Sequence, residues 1–167
     1  MHLVITGLMA SGKSSVGRTV AERLHMKWRD SDTDIERLLG RTGADIADSE
    51  GVDALHQLES AALLGALADD TPAVIAGAGW VVEDPFCRGA MARRSMVFVL
   101  RAPVEILLER ASAGAHRRDI DAAEYSMLAE RRAPMFADAA DLTLDAMLPF
   151  DANADIICAH WLAKHKS

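Results

Sequence analysis

GLMASGKSS, residues Gly7–Ser15, comes directly after the apolar run HLVIT (His2–Thr6) and directly before VGRTVAERL (Val16–Leu24). Gly7, Gly12, Lys13 and Ser14 satisfy the spacing G-x-x-x-x-G-K-[ST]. They do so between a predicted strand and a predicted helix, the context that gives this pattern physical meaning. Glycines let the backbone turn so that successive N–H groups point inward at phosphate oxygens, and the following helix adds its positive N-terminal end. Lysine then reaches the outer phosphates and the serine hydroxyl serves a magnesium ion. A chance match in a chain of this length has a frequency of about half a percent. The stretch therefore predicts a nucleoside triphosphate site.

Outward from it, apolar runs of strand length alternate with segments of helical period. His2–Thr6, Ala73–Ala76, Met96–Leu100 and Leu142–Leu144 read as buried parallel strands, and Met26–Arg29 as a weaker fifth. Val16, Val20 and Leu24 recur every four residues, and Leu55, Leu58, Ala62, Leu63 and Leu67 are expected to form one apolar helix face. Pro103 suits the first turn of a helix through ILLERA, and Ala154–Lys166 is expected to close the chain as another helix. The alternation predicts an α/β fold with a mainly parallel sheet and right-handed crossovers. Residues 112–121, SAGAHRRDID, read as a mobile loop between two helices. One domain spanning residues 1–167 fits this length, and half of the residues are hydrophobic, enough for a proper core.

The net charge of −7 argues against a nucleic-acid surface while leaving room for a small anion at a local positive site. Cys87 and Cys158 show neither disulfide nor zinc spacing, and no apolar stretch is long enough to span a bilayer. A soluble cytoplasmic protein, with no nucleic-acid or membrane partner and monomeric, is the expectation. Trp28 and Trp161 read as packing residues and the scattered histidines as carrying no metal site.

A guanine-reading N-K-x-D segment is missing, since Asn153 is followed by Ala and Asp, and nothing resembles LSGGQ. DSEG, Asp48–Gly51, matches D-x-x-G but lies in a helical stretch. The acidic run WRDSDTDIE, Trp28–Glu36, carries more weight, because it begins where the second strand should end, and open parallel sheets bind ligands there. One aspartate could hold metal-bound water, and another two residues on could orient an attacking hydroxyl. The plainer alternative is a solvated helix N-terminus with Asp32 as its N-cap.

Taken together, GLMASGKSSVGRTVAERL, DSDTDIE, RTGADIADSEG, the L-H-x-x-E of Leu55–Glu59, AGAGW, ERASAGAHRR and ERRAPMFADAADLTL resemble the shikimate kinases over nearly the whole chain. The resemblance implies a three-layer P-loop kinase fold, a five-stranded parallel sheet flanked by helices with a mobile lid at about residues 112–121. It implies ATP as co-substrate, Mg²⁺ as cofactor, a small polyhydroxy acid as acceptor and a place in aromatic amino acid biosynthesis. The phosphate loop carries over onto Gly7, Ala10, Ser11, Gly12, Lys13, Ser14 and Ser15. Ser14 and Asp30 fall on the metal positions, Asp30 through water. Asp32 falls on the acidic partner of the acceptor hydroxyl. Arg110 and Arg117, seven residues apart, fall on the nucleotide-contacting arginines, with Arg118 an alternative for the lid position. Arg132, two residues before Pro134, falls on the arginine that binds the acceptor's carboxylate. Lys13, Asp32 and Arg117 are the implied catalytic residues.

The departures cluster on the acceptor side. His56 stands where the family has a second carboxylate-binding arginine, and Gly77, Ala78, Gly79 and Trp80 replace a run of three glycines. Histidine offers one pH-dependent contact where arginine offers a permanent planar fork. Trp80 reads either as core packing at a strand end or as part of a reshaped pocket. Glu59 is expected to orient His56 or to sit at the site's edge. Shikimate is the first expectation for the acceptor; the alternatives are another cyclitol or sugar acid, or a catalytically silent ATP-binding regulator.

Overall fold

Five short segments pair side by side as parallel strands in a computed structural model of the chain, which describes residues 1–113 and 121–165. They are β1 (His2–Gly7), β2 (Lys27–Asp30), β3 (Ala73–Ala76), β4 (Ser95–Arg101) and β5 (Leu142–Asp145), in the order β2-β3-β1-β4-β5. The helices are α1 (Lys13–Leu24), α2 (Ser31–Leu39), α3 (Gly43–Glu50), α4 (Val52–Ala68), α5 (Pro85–Arg94), α6 (Val104–Ala113), α7 (Ala122–Ala139) and α8 (Phe150–His165), with a 3₁₀ turn at Gly79–Val82.

Burial on both faces explains why the central strands β1, β3 and β4 are largely apolar, while the edge strands β2 and β5 carry charged and exposed residues. Alternate residues of one strand enter opposite cores: Met96, Phe98 and Leu100 pack with Val16 and Val20 of α1 and Ala154, Ile157 and Trp161 of α8. Val97 and Val99 pack with Leu63 and Leu67 of α4, Met91 of α5 and Phe136 of α7. Three layers result, as the resemblance implied. Trp161 is buried and Trp28 partly buried against the α1 core, which bears out their reading as packing residues. The face expected on α4 divides instead: Leu55, Leu58 and Ala62 join Ile35 and Ile46 in a third cluster, while Leu63 and Leu67 meet the sheet. The helix is long enough to leave the sheet's edge and cover α2 and α3 with its first half.

Other boundaries shift. Pro103 precedes α6, its carbonyl accepting from the Leu107 N–H, and α8 starts at Phe150, four residues before the expected Ala154. Of the expected loop 112–121, Ser112 and Ala113 end α6 and Asp121 caps α7, accepting from the Ala123 and Glu124 N–H groups. The remainder of that loop lies outside the described residues. Cys87 and Cys158 are free, and burial pushes the Cys87 thiol up to about 12. No helix among the described residues is long and apolar enough to cross a membrane.

Beside β1 the strand order reverses direction, with β3 on one side and β4 on the other. Sheets of this kind bind ligands outside the carboxyl ends of the strands at such a point. The loop after β1, the start of α2 and the turn after β3 meet there.

Candidate active site

The loop after β1 needs its glycines. Gly7 has φ +149°, and a Cβ there would stand 2.5 Å from the Leu100 carbonyl oxygen. Gly12 has φ +91° and caps α1, and Ala10 is held at φ +64°, a left-handed conformation uncommon for a residue with a side chain. Strain of this kind persists where the surroundings enforce it. One restraint is visible: the buried Tyr125 hydroxyl of α7 donates to the Met9 carbonyl at 2.8 Å.

Lys13 is half-buried under the loop, its ammonium donating to the Gly7 and Leu8 carbonyls at 3.1 and 2.9 Å. Burial draws its pKa down; the charges of Asp32, Asp30 and Glu59 oppose this, and Arg132 adds to it. Charges from four separate parts of the sequence, Lys13, Asp30 with Asp32, Glu59 and Arg132, thus act on one another at the sheet's carboxyl edge. Glu59's charge acts on Lys13, which bears on neither of its two expected readings more than the other.

The Ser14 hydroxyl donates to Asp30 Oδ2 at 2.7 Å. Asp30 is the buried last residue of β2, and its Oδ1 accepts from the Asp32 N–H at 3.1 Å. Asp30, not Asp32, is therefore the N-cap of α2, which leaves the exposed Asp32 carboxylate in the helix's first turn. The cap belongs to Asp30 because it alone keeps extended backbone, φ −135° and ψ 121°. Ser14 and Asp30 together offer hard oxygen donors beside a phosphate-binding loop, a donor set that fits Mg²⁺. Among the described residues no cluster of three or more His, Cys, Asp or Glu side chains is gathered for a metal. Asp34 points elsewhere, paired with Arg29 at 2.8 Å and Arg37 at 3.1 Å.

Across the crevice, the turn after β3 is tied to β1: the Gly77 N–H donates to the Ile5 carbonyl at 3.0 Å, and the Thr6 hydroxyl to that of Ala78 at 3.3 Å. Gly79 sits so close that a Cβ would lie 3.1 Å from the Gly7 carbonyl oxygen and 3.2 Å from Arg132 Nη1. Arg132 is buried on α7, seven residues and two helical turns from Tyr125, so both reach the site from one face of that helix. Its Nε donates to Glu83 Oε1 at 2.6 Å, and Arg131 Nη2 donates to the same oxygen at 2.8 Å.

His56 and Trp80 lie face to face, ring centroids 3.9 Å apart and planes within 1° of parallel. Trp80 Nε1 donates to the Ser60 hydroxyl of α4 at 3.2 Å. Burial, and then the Arg132 charge, holds the His56 pKa below its ordinary 6.5; Glu83 and Asp53 oppose this and Arg131 reinforces it. Trp80 is thus neither plain core nor simple obstruction: it forms a rigid pair with the residue expected to bind a carboxylate.

Arg110 stands on α6 and donates to the Ala146 carbonyl at 3.1 Å, on the turn after β5. Arg117 and Arg118 lie outside the described residues. Glu83 is absent from the sequence-based set. A carboxylate in a turn has no periodic signature, and its partner Arg132 is 49 residues away.

The family model for shikimate kinase matches residues 9–156. A shikimate kinase of Symbiobacterium thermophilum is 36% identical over 150 residues, covering 86% of each chain. One of Aromatoleum aromaticum is 33% identical over 149 residues, covering 87% of this chain and 85% of its own. The solved structure of an Acinetobacter baumannii shikimate kinase in complex with shikimate superposes with a TM-score of 0.89 at 26% identity, covering 98% of this chain and 93% of that one.

Proposed function

From the premise that the chain belongs to the shikimate kinase family, we propose that it transfers the γ-phosphoryl group of ATP to a ring hydroxyl of shikimate, with Mg²⁺ as cofactor, forming shikimate 3-phosphate. That it is an ATP-dependent kinase follows from the family. The observation that carries the assignment of parts is the gathering of Lys13, Asp30, Asp32 and Arg132 around one crevice at the sheet's carboxyl edge.

Phosphoryl transfer asks little covalent chemistry of a protein; positioning and charge neutralisation do most of it. Inward-facing N–H groups of the loop from Gly7 to Ser15 hold the β- and γ-phosphates, and Lys13 exchanges its carbonyl partners for phosphate oxygens. Ser14 and Asp30 would hold Mg²⁺, which supplies positive charge where the phosphate oxygens gain negative charge. Asp32, free of the capping task, orients the acceptor hydroxyl and takes its proton as the O–P bond forms. Arg132 binds the acceptor's carboxylate, while the turn Gly77–Gly79 and the His56–Trp80 pair bound the ring. Arg110 lies toward the adenine end and Arg117 contributes from the lid.

The test is a coupled assay of ADP release at saturating Mg-ATP, with and without shikimate. ADP formation that depends on shikimate is the expected result; release unaffected by it would overturn the reading. A second reading, another ring or sugar acid as acceptor, is favoured by the aromatic pair at the acceptor wall. A panel of cyclitols and sugar acids in the same assay separates the two.

A further inference from the structure

Arg132 is an acceptor-side cation whose guanidinium is gripped along a defined edge. Glu83 follows directly on the 3₁₀ turn that carries Trp80, and its carboxylate is nearly as enclosed as its partner, with side-chain exposures of 13% and 7%. It takes the Nε edge of Arg132 at 2.6 Å. The opposite end of the same guanidinium lies against Gly79, close enough that Nη1 would stand 3.2 Å from a Cβ there. A guanidinium is a rigid planar fork: once its Nε edge is fixed by Glu83 and its Nη1 end lies close to Gly79, the direction of the terminal Nη1–Nη2 edge is fixed as well. Arg131 donates to the same Glu83 oxygen from the exposed side of α7, at 2.8 Å, which holds the carboxylate in turn.

We propose that Glu83 is a positioning residue for acceptor recognition: it orients Arg132 so that the terminal edge of its guanidinium presents two parallel donors to the carboxylate of the acceptor. The inference rests on the reading of Arg132 as the carboxylate-binding residue, and it deepens that reading. With a histidine, His56, where the family has a second arginine, Arg132 carries the permanent charge on that side, and its orientation becomes the main source of selectivity for an acid. A freely rotating Arg132 would still attract an anion but would lose the two-pronged geometry that distinguishes a carboxylate from a neutral group of the same shape. Glu83 also offsets part of the charge of Arg131 and Arg132, so the pocket reads shape more than net charge.

The test compares shikimate with its carboxamide as acceptors for the wild-type enzyme and for Glu83→Gln, in two-substrate kinetics with ATP. The wild type should favour the acid in kcat/KM by about tenfold or more. In Glu83→Gln the KM for shikimate should rise about fivefold to tenfold and the preference for acid over amide should shrink by a similar factor. The KM for ATP and kcat should stay within about twofold, since a mispositioned binding group weakens ground and transition state alike. A purely structural role for Glu83 would not move the acid-to-amide ratio. An unchanged ratio in the variant, or a lowered KM for shikimate, overturns the inference while leaving the Arg132 reading in place. A wild type indifferent between acid and amide overturns both. Should Glu83→Gln fail to fold, Glu83→Asp decides: a raised acceptor KM with an unmoved ATP KM supports the inference, and no change in either refutes it.

Discussion

The two walls of the crevice are built by opposite means. The phosphate wall is one continuous stretch, Gly7–Ser15, whose chemistry resides largely in backbone groups and glycine conformations. The acceptor wall is assembled from α4, the turn after β3 and α7, and its chemistry resides in pairings between side chains distant in sequence. A backbone site is written locally and tolerates little change. A side-chain site can be rebuilt piece by piece around one group, in the proposed reading Arg132.

That contrast can be broken most severely at Lys13. Lys13→Ala should lower kcat/KM about a thousandfold, because it removes a preorganised charge from the transferred group. The melting temperature should stay within about 3 °C, since among the described residues the Lys13 hydrogen bonds run to loop carbonyls. Near-full turnover in this variant would end the kinase assignment of the loop. Asp32→Asn should come next, with kcat down about a hundredfold and both KM values little changed. An equal loss for Asp34→Asn would show that the acidic run acts by charge alone.

On the acceptor wall smaller effects are expected. Trp80→Ala removes a stacked pair worth about 1 kcal/mol. It should raise the KM for shikimate several-fold while leaving that for ATP unmoved; a shift in both would mean that the pair supports the whole crevice. The smallest effect concerns pH. His56 is held below 6.5, so between that value and its folded pKa the unfolded chain binds more protons than the folded one. Its contribution is present in full above the unfolded pKa and falls as pH drops. Thermal melts from pH 7.5 to 5.5 should show a smaller loss for His56→Gln than for the wild type. His2, also held low by burial, is common to both and cancels in the difference.

The same contrast explains what could be read in advance. The three central strands were legible because a strand buried on both faces must be apolar throughout; β2, KWRD at the sheet's edge with half-exposed side chains, gave a weaker signal and shifted by a single residue at each end. The phosphate loop was legible because its residues are contiguous. α5 was not, although Asp84 as N-cap and Pro85 in its first turn are sound start signals, because its buried residues Cys87, Ala90 and Met91 make too narrow a stripe. The acceptor wall was legible through the resemblance at Arg132 and otherwise as departures. His56 and Trp80 could be seen to differ, but that they stack on each other, and that Glu83 grips Arg132, depends on how α4, α7 and the turn come together in space.

The claim that the two walls are separable is tested most directly by two-substrate kinetics of Arg132→Ala. The KM for shikimate should rise at least about tenfold while that for ATP stays within about twofold. An equal rise in both would contradict the division, showing that Arg132 serves the phosphates near Lys13 as much as the acceptor.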